Sequence, residues 1–262
     1  KLLSSPLAAE DSLRDIVNLK LLIEYDGKNY FGWQRQKLHR TIQHTMEETL
    51  SILLPGEKVT LYGSGRTDAG VHAYGQCANF KIEKSRIEKA GLGRILVSLN
   101  ALLPDDIVVK QIKKVPLEFH ARYSAKSREY IYRLTEIKRA IEGDKLLQLK
   151  SSFDIKAAKI FCRLIKGNHS FRSLCKNKED EHDFRSIVYT CDVKRRKDGI
   201  IEFTISANRF LHSMVRAIVG AMIKVASGNL TKEEFISKFK NGDEIKIQYV
   251  PAKALFLSKV TY

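Results

Sequence analysis

No stretch of this chain approaches the ~20 consecutive apolar residues that a membrane-spanning helix needs, so no membrane association is expected. Cysteine is sparse too: Cys77, Cys162, Cys175 and Cys191 stand alone, without a C-x-x-C pair. Isolated thiols suit a reducing, cytoplasmic compartment. His169, Cys175, His182 and Cys191 cluster loosely, but a zinc site is normally built from paired close ligands, so no metal is expected. The opening "KLLSSPLAAEDSLRD" has no signal-peptide core, and its Glu10, Asp11 and Asp15 argue against a transit peptide. Residues 1–17 are expected to form a flexible lead-in. Acid is the clearest shortage, with 30 Asp and Glu against 46 Lys and Arg, a net charge of +16. Such a balance says little about fold but predicts attraction to a polyanion, unless it reflects only a solvated lysine-rich surface.

What is present is a repeated order of elements. With 262 residues, 44% of them hydrophobic, the chain can build one large core or two small ones. "NLKLLIEY" (18–25) reads as a strand ending at Asp26-Gly27. "TIQHTMEETLSILL" (41–54) places Ile42, Met46, Leu50 and Leu53 on one helical face, with Thr41 as N-cap. Strands are expected at 58–63 and 75–82. A helix follows to about Leu102, opened by a Ser85/Glu88 capping box, and a strand over 106–115 closes the half. The second half runs strand (128–136), helix (154–167, capped by Asp154), hairpin (186–207, turning at Asp198-Gly199), long helix (209–228), short helix from Thr231, and final strand (255–262). Each half reads β-α-β-β-α-β. The expectation is an α+β protein of two tandem ferredoxin-like halves, 18–116 and 117–262, with mostly antiparallel sheet and a central cleft. A single irregular α+β domain is the alternative.

The segment "GSGRTDAGVHAY" (63–74) links two of these strands. Its Gly65-x-x-x-x-Gly70 has phosphate-loop spacing, but Val71-His72 stand where Lys and Ser or Thr are required. Gly63-x-Gly65 lacks the third glycine of a dinucleotide fingerprint. What remains is a loop passing through tight, partly left-handed backbone at Gly63, Gly65 and Gly70 and presenting Arg66, Thr67, Asp68 and His72. Asp68 is either a turn cap or a catalytic carboxylate. Basic residues also alternate with aromatics in "FHARYSAKSREYIYR" (119–133), which suits phosphate contacts beside stacked bases. RNA is the favoured partner, DNA the second. Arg66, Arg35, Lys37, Arg40, Arg122, Lys126 and Arg128 are candidate phosphate contacts, and His72 and His120 are read as structural hydrogen-bonders.

"GSGRTDAGVHAYGQCANF" resembles the catalytic loop of the TruA family of tRNA pseudouridine synthases. "EYDGKNYFGWQRQ" (24–36) with "TIQ", "FHARYSAKSREYIYR", "NRFLHSMVRAIVG" (208–220) and "VPAKALFLSKV" (250–260) resemble its other motifs, in the same order. Ala254 stands where the family usually has glycine, and Ser170 where acidic residues are common. The resemblance implies isomerisation of uridine at positions 38, 39 and 40 of tRNA, without a cofactor, by a homodimer. It implies Asp68 as the essential aspartate, Arg216 as its partner, and Tyr130 as the residue stacking on the target base. Arg216 falls at the edge of the apolar stripe Leu211, Met214, Val215, Ile218, Met222, where a guanidinium can reach a half-buried carboxylate. A synthase with another RNA target, or a non-catalytic RNA-binding protein on the same scaffold, are the rivals.

Overall fold

The computed structural model describes residues 16–56, 59–176, 179 and 181–262. The expected lead-in, apart from its last two residues, and Lys58 of the expected 58–63 strand lie outside these. The chain is α+β, with strands paired almost entirely antiparallel, and divides into two compact units. Of the described residues, the first comprises 16–67 and Ala73–Ala125, the second Asp68–His72 and Lys126–Tyr262.

In the first unit β1 (Ile16–Tyr25) lies between β3 (His72–Glu83) and β4 (Ile107–Val115), antiparallel to both. Leu19, Leu21 and Ile23 alternate along β1 and are fully buried, as a strand with one covered face requires. The short β2 (Tyr62–Gly63) pairs with β3. Helix α1 (Ile42–Leu53) buries Ile42, Met46 and Leu50 at helical spacing, and Thr41 Oγ1 accepts from the His44 N–H as its cap. The helix expected to reach Leu102 is instead two: α2 (Lys84–Ala90) and α3 (Leu92–Leu102), separated at Gly91. A φ of +74° there breaks the hydrogen-bond ladder that the apolar spacing alone would continue. Nor does the Ser85/Glu88 box form. Glu83 occupies the cap position, Ser85 lies inside the helix, and Glu88 pairs with Lys84.

In the second unit β5 (Ser127–Thr135) lies between β10 (Leu255–Thr261) and β9 (Ile201–Ala207); β8 (Arg185–Arg195) and β7 (Gly167–Ser170) continue the sheet. The two-residue β6 (Leu147–Gln148) joins β5 in parallel. Helices α4 (Ile155–Ile165), α5 (Met214–Ala226) and α6 (Lys232–Asn241) cover it. Asp154 and Thr231 cap α4 and α6 through their side chains, as their sequences predict. Phe161, Phe171, Phe235 and Phe239 interlock at 4.7–5.4 Å between ring centres. Gly220 of α5 packs against backbone: a Cβ there would sit 2.3 Å from the Gln248 carbonyl oxygen. That contact brings 248–250 to the helix, which matters for Arg216. Among the described residues no helix is long and apolar enough to cross a membrane, and no cluster of His, Cys, Asp or Glu could hold a metal ion.

Candidate active site

The segment leading to Asp68 is held by hydrogen bonds within the first unit. Ser64 donates to Gln76 Oε1 at 2.6 Å, and Gln76 Nε2 donates back to the Gly65 carbonyl. Tyr25 and Thr67 share a buried hydroxyl–hydroxyl bond of 2.8 Å, and the Thr67 carbonyl accepts from the Trp33 N–H. Only Gly70 of the loop glycines is left-handed, with φ +77°. Gly63 serves another purpose: a Cβ on it would lie 2.5 Å from the Trp33 indole nitrogen. Around Gly65 there is open space. The expected partly left-handed loop is thus left-handed at Gly70 alone, while Gly63 is required by its close approach to the buried Trp33 indole.

Asp68 belongs to the second unit, with the first turn of α5. Its Oδ2 accepts two hydrogen bonds of 2.8 Å, one from Ser213 Oγ and one from Arg216 Nη1. The other end of the guanidinium is also engaged, with Nε donating to the Val250 carbonyl at 2.7 Å. Arg216 is thus clamped between a carboxylate and a backbone oxygen, a use of its fixed donor fork that a lysine cannot copy. The pair is mostly enclosed, at 18% side-chain exposure for Arg216 and 25% for Asp68, so water screens it less than a surface pair. Oδ1 faces the His212 imidazole at 3.9 Å, beyond hydrogen-bond reach.

The long helix expected from Arg209 begins only at Met214, because Ser213 has φ +55° and ψ 15°. A non-glycine residue in this region is uncommon and costs of order 1–2 kcal/mol. At a helix N-cap, serine ordinarily accepts from a backbone N–H two or three residues on. Here it makes no such bond, and its hydroxyl instead donates a hydrogen bond to Asp68 Oδ2. Ser213 and His212 were both inside the "NRFLHSMVRAIVG" motif, but residue type alone singles out neither.

Tyr130 and Tyr132 point to one face of β5, as period-2 alternation demands. They differ in what they meet. Tyr132 is fully buried and donates to the Pro251 carbonyl at 2.9 Å. Tyr130 meets Phe210 edge-on at 5.2 Å. Burial first, and then the nearby Asp68 charge, push its phenol well above the usual range, so it stays neutral. His72 stacks on Phe256 and bonds the Lys253 carbonyl at 3.0 Å. Ala254 is fully buried in the turn before β10, where its methyl is accommodated.

The basic residues separate by what holds them. Arg35 pairs with buried Glu47 at 3.0 Å, Arg40 donates to Tyr30 and lies over its ring, and Arg128 donates to the Asn208 carbonyl. Arg66 reaches Gln34 from an exposed position. Lys37, Arg122 and Lys126 are exposed. His120 meets the tilted rings of exposed Tyr62 and Tyr123, at 5.1 and 4.5 Å. Its Nδ1 accepts from the Arg122 backbone N–H, and burial lowers its pKa, with the Arg122 charge adding to this, so the imidazole is favoured neutral.

Comparison with known proteins gives one consistent result. A family model described as tRNA pseudouridine synthase matches residues 21–124 and 161–262, ranges that include Asp68, Ser213 and Arg216 but not Tyr130. A tRNA pseudouridine synthase A of Acetivibrio thermocellus is 36% identical over 251 residues, covering 94% of this chain and 99% of that protein. The protein of the same name from Chlorobium luteolum is 39% identical over 251 residues, covering 94% and 95%. Among solved structures, a chain in the crystal structure of a Cbf5-Nop10-Gar1 complex is similar at a TM-score of 0.33 and 12% identity, over 78% of this chain and 54% of that one. That likeness is too remote to carry an argument about function.

Proposed function

The chain belongs to the tRNA pseudouridine synthase family, and from this premise we propose that it isomerises uridine at positions 38, 39 and 40 of the tRNA anticodon stem-loop through Asp68. The reaction breaks the bond between ribose C1′ and uracil N1, turns the base, and rejoins C1′ to C5. The C5 proton is released and N1 gains one, so composition and oxidation state are unchanged and no cofactor is required. Asp68 would act as nucleophile or as base toward the sugar, and both roles need the ionised carboxylate. Arg216 and Ser213 supply two donors to that ionised form. The observation that carries the reading is this clamped carboxylate at the family's motif position.

Tyr130, neutral and braced by Phe210, is the proposed stacking partner of the uracil once it has left the helix. Arg66, Arg35, Lys37, Arg40, Arg122, Lys126 and Arg128 are proposed to meet phosphates, with the exposed Lys37, Arg122 and Lys126 the strongest candidates. The Tyr62–His120–Tyr123 ring cluster beside Arg122 supports contact with unpaired bases. The working unit is proposed to be a homodimer in the cytoplasm, a state that light scattering would read directly.

A tRNA transcript tritiated at uracil C5 tests the assignment. The wild type is expected to release tritium, and Asp68→Asn to release it at least about a thousandfold more slowly while still binding tRNA. Continued release by the variant would remove Asp68 from the mechanism. Binding without release by the wild type would favour the non-catalytic alternative.

A further inference from the structure

Asp68 is held unevenly. Both strong donors, Ser213 Oγ and Arg216 Nη1, converge on Oδ2 at 2.8 Å, while among the described residues no protein donor lies within hydrogen-bond distance of Oδ1. A carboxylate so loaded cannot rotate without breaking two charge-assisted bonds at once. Ser213 contributes one of them from a left-handed backbone, φ +55°, at 9% exposure. That conformation forgoes the capping bond a serine would otherwise make to α5. Strain in an enclosed residue whose hydroxyl meets the central acid is better explained by the site than by the helix.

We propose that Ser213 is a positioning residue that, with Arg216, locks Asp68 Oδ2 in place and thereby presents Oδ1 as the oxygen that faces the ribose and uracil. The inference rests on the synthase reading of Asp68 and adds to it which oxygen acts and what orients it. Arg216 alone does not fix the plane of the carboxylate, because a single N–H···O contact leaves rotation about it open. The second donor removes that freedom. His212, half-exposed and 3.9 Å from Oδ1, then marks the side on which the substrate enters.

Two variants test this, because they move stability and catalysis in different directions. Glycine is at ease in the left-handed region, so Ser213→Gly relieves backbone strain and removes the hydroxyl. Ser213→Ala removes the hydroxyl and keeps the strain. Single-turnover rates on tRNA are expected to fall roughly ten- to hundredfold in both, the effect of one hydrogen bond to a charged group. The dissociation constant for tRNA is expected to stay within about twofold, and the Tm of the glycine variant to be no lower than wild type. Rates within about twofold of wild type in both variants would overturn the proposal. So would full activity in Ser213→Gly alone, or activity losses matched by lost tRNA binding and a lowered Tm. A wild type inactive on tRNA would instead overturn the synthase reading beneath it.

Discussion

Arg216 satisfies two acceptors through two different nitrogens of one planar group, Nη1 to Asp68 and Nε to the Val250 carbonyl. Lysine retains the charge but offers it as a point on a flexible stem, so Arg216→Lys is expected to serve only one acceptor at a time. The single-turnover rate should drop about ten- to hundredfold, with tRNA affinity changed less than about twofold. A uniform loss of affinity would show that Arg216 binds tRNA rather than orienting Asp68. At this scale the pairing of Asp68 with Arg216 was legible, because residue type and motif position coincide there. Asp68 is the acid of a glycine-flanked loop, and Arg216 lies at the edge of an apolar helical stripe. Ser213 was not legible, since its role depends on one φ angle that no composition encodes.

Elements were legible where a cap and a period agree. Thr41, Asp154 and Thr231 each precede an apolar repeat, and each caps its helix through its own side chain. The period misled where tertiary contacts or a glycine overrode it: α2 and α3 share one apolar spacing but break at Gly91, and α5 begins five residues later than its repeat. The loop 63–74 offers a sharp test of the same point, because its glycines look alike in sequence. Gly63→Ala would drive a methyl into the buried Trp33 indole, with three ring atoms 2.5–2.8 Å away. Overpacking of this kind costs about 1–3 kcal/mol, and the displaced strand end also disturbs the path to Asp68. Gly65→Ala meets nothing within 4 Å at an ordinary φ, so its stability should stay within about 0.5 kcal/mol of wild type. Chemical denaturation of the two variants would expose an error if they behaved alike.

Over the whole molecule, the excess of 46 basic over 30 acidic residues is a polyelectrolyte property, and salt is its natural probe. Neutralising one residue that displaces a condensed counterion from tRNA lowers the slope of log affinity against log salt by about 0.7–0.9. The sequence offered a roster of basic residues without ranking them, because charge alone does not reveal which guanidinium is already committed inside the protein. The structure shows Arg35, Arg40 and Arg128 engaged by partners within the protein. Lys37 and Lys126 are exposed, so Lys37→Gln and Lys126→Gln are each expected to reduce the slope by about one such step and to leave Tm unchanged. Arg35 lies against Glu47, whose side chain is 5% exposed and also accepts from Gln43 and the Leu61 N–H. Arg35→Gln should therefore appear first as a lowered Tm, since it leaves a buried carboxylate short of its counter-charge. Affinity titrations between about 50 and 200 mM salt separate the two behaviours. An unchanged slope in both lysine variants would place the tRNA track elsewhere on the basic surface, and a lower Tm in those variants would show that they are structural.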